Sequence, residues 1–242
     1  MACLSEMRCA MLGYLQNFVQ QFDVTALLAL LQRAAAVLLC LCVHEIAHGF
    51  AAYLLGDPTA KRSNRLSLNP LHHLDIFGLI MMVTVGFGWA KPVPVDPRYF
   101  RNPKQGMAIT ALAGPLSNFV LAFIAAFGTN ALAAAMTVYG QTGLFMTAFS
   151  FCYLLVLLNI GLGVFNLIPF PPLDGSKVVA MFLSDRNYIR WMQLERYGMV
   201  ILMAILWFGW LDTYLYAART FLVDFMLTRT EGIYYLVLNL LG

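Results

Sequence analysis

Apolar residues dominate this chain in long runs, broken by short polar interruptions. The first run extends from about Val24 to Leu55 and is interrupted by Gln32 and Arg33, then by His44, Glu45 and His48. Gly56-Asp57-Pro58 follows, and glycine and proline both stop helices, so a helix is predicted to end there. Thr59 to Asp75 is polar and carries Lys61, Arg62 and Arg65. Within it the alternation Arg65-Leu66-Ser67-Leu68 predicts a short strand. Ile76 to Ala90 is apolar but shorter than the roughly 20 residues that a helix needs to cross a bilayer. It contains Gly78, Gly86 and Gly88 and runs into Lys91-Pro92-Val93-Pro94-Val95. It therefore reads as a re-entrant or strand-like element packed against protein, because irregular backbone at membrane depth needs such cover.

Gly106 to Met136 and Thr142 to Ile168 are two predicted spans, joined by an uncharged link, Thr137 to Gln141. Pro169 to Asp185 is a broken, proline-rich connection. Tyr197 to Ala218 is a further span candidate, and Phe221 to Leu241 is apolar but interrupted. Basic residues mark cytoplasmic loops. If Ile76–Ala90 turns back and the next two runs form a hairpin, then Lys61–Arg65, Lys91–Lys104 and Lys177–Arg196 fall on one side and the uncharged link on the other.

Composition agrees with this pattern. Of the 242 residues, 61% are hydrophobic and 11% charged, against about 25% charged in a soluble domain. One membrane domain takes up the length, residues 1–242, with a core over about 24–185 and C-terminal helices over about 186–242. The net charge of +3 comes without a dense basic patch, which argues against a nucleic-acid partner. The first residues show no clear cleavage site, and no removable signal peptide is read there. The five cysteines, Cys3, Cys9, Cys40, Cys42 and Cys152, are odd in number and read as buried hydrophobes. The expected fold is an all-α polytopic membrane protein of about five to six transmembrane helices with a small β-rich or re-entrant insertion.

The polar interruption inside the first run carries the chemistry. Burying His and Glu at membrane depth costs several kcal/mol, so such groups are usually functional. His44 and His48 are four apart and share a helix face. Two imidazoles so placed grip one metal ion, and Glu45 beside the first can act on a metal-bound water as general base. Zinc brings the pKa of such a water towards about 7. Cys40 lies one turn before His44 on the same face, where a small packing residue is the expectation.

A catalytic zinc takes three protein ligands and keeps one position open. The third has to come from elsewhere. Asp174 ranks first, because Pro169, Pro171 and Pro172 forbid a continuous helix just before it and an unwound segment must line a cavity. His73 ranks second. A helix N-cap before Gly175–Leu183 is the competing reading for Asp174.

Several stretches, in order, resemble the site-2 protease family of intramembrane zinc metalloproteases, in its compact prokaryotic branch without PDZ or CBS domains. They are HEIAH (44–48), GDPTAKR (56–62), LSLNPLHHLD (66–75), GWAKPVPV (88–95), AGPLSNF (114–119) and FNLIPFPPLDG (165–175). The resemblance implies one zinc ion per chain held by His44, His48 and Asp174, with Glu45 as base. It matches Asn118 to a position associated with the active site. Two roles stay open for Asn118: a hydrogen bond to the substrate carbonyl or oxyanion, or a bond between helices. His73 and Asp75 match a pattern with a structural or supporting role behind the ligands. Asn64 stands where the family pattern would place glycine, and Gly88 to Val95 would lie near the substrate's path.

The expected function is hydrolysis of a peptide bond in or near a transmembrane helix of a membrane-protein substrate. The setting is the lipid bilayer of a prokaryotic plasma membrane. A metal-ion or proton transporter would also use buried His and Asp and is the alternative. A silent binding relative would be expected to lack one of His44, Glu45 and Asp174, and all three are present.

Overall fold

The computed structural model describes residues 24–67, 69 and 91–241. The chain divides into two compact units, residues 1–35 and 36–242. Of the first, only 24–35, the beginning of the first helix, are described; the second carries the rest of that helix and every later element. The long helices are α1 (Val24–Leu54), α2 (Pro103–Tyr139) and α3 (Gly143–Asn166). They are followed by α4 (Asp174–Met181), α5 (Asp185–Trp207), α6 (Asp212–Thr230) and α7 (Gly232–Leu241). A single helical turn, Thr59–Arg62, follows α1, and a 3-10 turn, Pro97–Tyr99, precedes α2.

Three of these helices are long and apolar enough to cross a membrane: Ala26–Leu54, Pro103–Tyr139 and Gly143–Asn166. A fourth span is reached if α5 and the α6–α7 segment, bent by 85° at their break, count as one. The expected five to six spans are therefore not found among the described residues. The span predicted over Tyr197–Ala218 is interrupted because Gly209, at φ 67°, ends α5. Its N–H donates to Leu206 O while Trp210 N–H donates to Ile205 O, the paired bonds that close a helix on a left-handed residue. Hydropathy reads straight through such a stop.

The β-rich insertion is also not found, since no described residue is in a strand. Ile76–Ala90, His72, His73 and Asp75 lie outside the described residues. Arg65–Ser67 lie within them and are not extended into a ladder. Arg65 N–H donates to Ala60 O and Asn64 N–H to Lys61 O, so the chain here closes the Thr59–Arg62 turn instead of pairing as a strand. Asn64 sits at φ 53°. Glycine is the usual residue in that left-handed position, and asparagine is the next best tolerated.

The core lies where α1, α2, α3 and α6 meet. Small residues of α1 and α2 (Ala36, Cys40, Ala122, Ala125 and Ala126) face Leu155, Val156 and Ile160 of α3 and Val223 and Met226 of α6. Small side chains let helix backbones approach, which is how helices associate where lipid gives no hydrophobic drive. Helix α2 starts on Asn102, whose side chain accepts from Gln105 N–H, with Pro103 at the first helical position. Near that end Lys104 reaches Asp185 at 2.6 Å and Leu183 O at 2.8 Å, tying the start of α5 to α2. Trp191 Nε1–H donates to Ser176 O at 3.1 Å and so docks α5 on α4.

The segment before α2 is pinned to α1 at two points. Asp57 is fully buried; its Oδ1 accepts from Thr59 N–H and its Oδ2 from Asp96 N–H at 2.7 Å. Glu45 accepts from Val93 N–H at 3.1 Å. Replacing Asp57 with Ala orphans two backbone donors, and each unsatisfied buried group costs about 1–3 kcal/mol. Asp57→Ala is expected to lower the thermal unfolding midpoint of the purified protein clearly, while Asp57→Asn, which keeps an acceptor oxygen, loses less.

Candidate metal centre

His44 and His48 lie one turn apart on α1 with rings edge to face, centroids 4.5 Å apart. His48 Nδ1 lies 2.7 Å from Thr110 O. A carbonyl only accepts, so His48 Nδ1 carries the hydrogen and Nε2 keeps a lone pair. His44 Nδ1 lies 2.6 Å from Asn118 Oδ1. The Nδ2 of Asn118 faces Cys40 O at 3.2 Å and Asn159 Oδ1 at 2.7 Å, and Asn159 Nδ2 faces Leu155 O at 2.8 Å. The two backbone carbonyls accept, so both amides are oriented with nitrogen towards them. Asn118 Oδ1 is then the acceptor for His44 Nδ1–H, and His44 Nε2 is also left with a lone pair.

Those two lone pairs converge. His48 Nε2 and His44 Nε2 are 3.0 Å apart, and Asp174 Oδ2 is 3.2 Å from each. Three acceptor atoms at these separations repel one another unless a proton or a cation sits among them. Ligand bonds of about 2.0–2.1 Å to a tetrahedral zinc give edges of roughly 3.3 Å between donor atoms, close to this triangle. His44, His48 and Asp174 are the one group among the described residues with metal-binding composition and spacing. His44 is 4% exposed and the side chain of Asp174 15%, so the group is nearly closed but not sealed.

Asp174 is the first residue of α4, not its N-cap; Leu173 takes that place without a side-chain bond. Its carboxylate is directed to the histidines. Glu45 is half-buried and held by Val93 N–H. Cys40 is buried in the core and is not part of the convergent group. Asn118 bonds between helices: both amide hydrogens point at protein acceptors and its oxygen receives His44. His73 and Asp75 fall outside the described residues.

Three residues at the site are not evident from the sequence patterns. Thr110 contributes through its backbone, which no sequence pattern reveals. Asn159 is fully buried on α3. Its signal is present, because it is the single polar side chain in the run Leu154–Gly163. Gly114 lies within AGPLSNF, where the motif alone gives it no role; a Cβ there would overlap His48 Nε2 and Cε1 and His44 Cε1.

The family model described as Peptidase family M50 matches residues 127–209. A Bacillus subtilis (strain 168) protein named "Putative zinc metalloprotease YwhC" is 40% identical over 168 residues, covering 67% of this chain and 74% of its own. The chain belongs to peptidase family M50. The resemblance to site-2 proteases read from the motifs is thereby borne out. A Mycolicibacterium smegmatis relative named for Rip2, with the same description, is 27% identical over 71% of this chain and 65% of its own length. "Zinc metalloprotease MJ0392" of Methanocaldococcus jannaschii is 25% identical over 60% of this chain, which spans about a third (32%) of that protein. No solved structure gives a significant match. The M50 match takes in Asn159 and Asp174 on the α3–α4 side of the centre, whereas His44, Glu45 and His48 lie outside it.

Gly114 gives a direct check on the geometry. Gly114→Ala places a methyl group where the imidazoles converge and should reduce zinc retention at least about tenfold, comparable to losing a partner that orients a ligand. The measurement is zinc per chain after dialysis against a weak chelator, with helix content by circular dichroism as the check on folding.

Proposed function

We propose that this protein is a zinc-dependent intramembrane endopeptidase that cleaves membrane-protein substrates in or near a transmembrane helix. The observation that carries the reading is the convergence of His44 Nε2, His48 Nε2 and Asp174 Oδ2 at the depth where Gly114 of α2 faces them. Gly114 lies ten residues past Lys104, about 15 Å along the helix from the basic end of α2. That is about half of a hydrocarbon core of roughly 30 Å. His44, His48 and Asp174 hold the zinc. Bound zinc supplies Lewis acidity, which polarises a peptide carbonyl and acidifies water.

This chain's own residues supply the rest. Glu45 is the general base, taking a proton from water on a carboxylate oxygen and returning it to the leaving amine. The Val93 N–H bond fixes the direction of that carboxylate. Asn118 and Thr110 O hold the imidazoles so that both Nε2 atoms face the ion. His73 and Asp75 are assigned a supporting role. The substrate must unwind locally, because the peptide groups of a helix are occupied by internal bonds. The setting is the plasma membrane of a prokaryote, and the transport alternative has no observation in its favour.

Metal content of the detergent-purified protein tests this, together with cleavage of a transmembrane substrate. About one zinc per chain is expected in wild type and much less in Asp174→Ala. Glu45→Gln should keep its zinc but lose cleavage by at least about a hundredfold, the usual scale of a general base. A folded wild type that takes up no metal after zinc repletion would overturn the reading.

A further inference from the structure

We propose that Asn159 is a positioning residue of the metal centre: it sets the orientation of the Asn118 amide and, through it, which nitrogen of His44 carries the hydrogen and which offers its lone pair to the ion. The inference rests on the zinc reading above. An asparagine amide fits its site in two ways related by a half-turn. In one, Asn118 Oδ1 faces His44 Nδ1, the hydrogen of His44 sits on Nδ1, and Nε2 offers its lone pair to the triangle. In the other, the Asn118 NH2 faces His44 Nδ1, which then has to accept. The His44 hydrogen moves to Nε2 and points into the triangle, where no ion can be held.

Two acceptors select the first orientation. One is Cys40 O at 3.2 Å, and the other is Asn159 Oδ1 at 2.7 Å, the shorter contact. Asn159 is itself fixed, because its Nδ2 donates to Leu155 O at 2.8 Å, one turn back on its own helix, and a carbonyl cannot reverse roles. The order therefore starts at the backbone of α3, passes through two amides and ends on a histidine of α1. Every member is buried, with Asn159 and Asn118 at 0% exposure and His44 at 4%. Water has little access to replace a missing partner. Outer partners of this kind typically change metal affinity about 10–100-fold when removed.

The test uses the full chain in detergent, stripped of metal and titrated with zinc against a competing chelator. Cobalt(II) loading follows, because its visible absorption reports ligand geometry. Asn159→Leu removes the acceptor for Asn118, and Asn159→Thr withdraws it, because the hydroxyl on the shorter side chain turns to Leu155 O within its own helix. Both are expected to bind zinc about tenfold or more weakly and to shift the cobalt spectrum. Asn159→Asp should stay within about threefold of wild type, because a neutral carboxylic acid, the form favoured in an apolar site, can accept from Asn118 and donate to Leu155 O. If the Leu variant does not fold, the Thr variant decides. Wild-type affinity and spectrum in the Thr variant would overturn the proposal. So would a loss in Asn159→Asp equal to that in Asn159→Leu, since keeping the acceptor oxygen would then make no difference. A wild type that binds no zinc removes the zinc reading itself, an outcome distinct from these.

Discussion

Everything in this fold that is unusual for an apolar helical bundle comes from three lone pairs being held about 3 Å apart inside it. Left to themselves, two imidazoles and a carboxylate would separate or take up protons. They are kept together by bonds on their far sides: Thr110 O behind His48, Asn118 behind His44, and for Asp174 its place at the first turn of α4. The helices supply that constraint, and the constraint in turn dictates which residues the helices carry. Gly114 leaves room for the rings, and Ala122, Ala125 and Ala126 let α2 come close to α1 and α3. A centre of this kind would not survive at a flexible loop, because small displacements would release the repulsion that a cation is needed to offset.

The third side of the triangle is held from further away. Helix α4 has only eight residues and makes no side-chain cap. It packs chiefly against α2, and α5 adds two links, Trp191 on Ser176 O and Lys177 at 3.8 Å from Glu195. Lys104 then ties the start of α5 back to α2. Asp57 plays the matching part at the end of α1, where it brings Asp96 and the extended residues before it alongside Glu45.

The sequence made the chemistry more legible than the architecture, for a physical reason. His44, Glu45 and His48 are local: a spacing of four on a helix is enough to put both rings on one face. Asp174 was legible because prolines announce a broken helix. Helix ends marked by glycine were legible at Gly56, where φ is 102° and Asp57 N–H reaches back to Ala52 O. The same device at Gly209 is hidden, because the flanking tryptophans and leucines look like one continuous span. The strand predicted over Arg65–Leu68 failed on its described residues because alternation describes side chains, while the Arg65 N–H is already taken by the turn before it. Asn159 is hard to read in the sequence since its meaning lies in a partner 41 residues away.

The two histidines are oriented by different kinds of group, and the difference has a consequence. His48 leans on a backbone carbonyl, which every residue type at position 110 would still present. Its orientation is thus protected against substitution, so long as α2 keeps its course through Pro115. His44 leans on a side chain, and that side chain on another. Any change in Asn118 or Asn159 reaches the ion through His44 alone. The proposed relay would therefore adjust the centre from the side buried among α1, α2 and α3, away from the proline-rich segment that carries Asp174. If Glu45 is the base and Asn159 the positioning residue, as proposed, a substitution at Asn159 would alter the hold on the ion while leaving the Glu45–Val93 bond in place, and binding of the ion and handling of the proton would be separable.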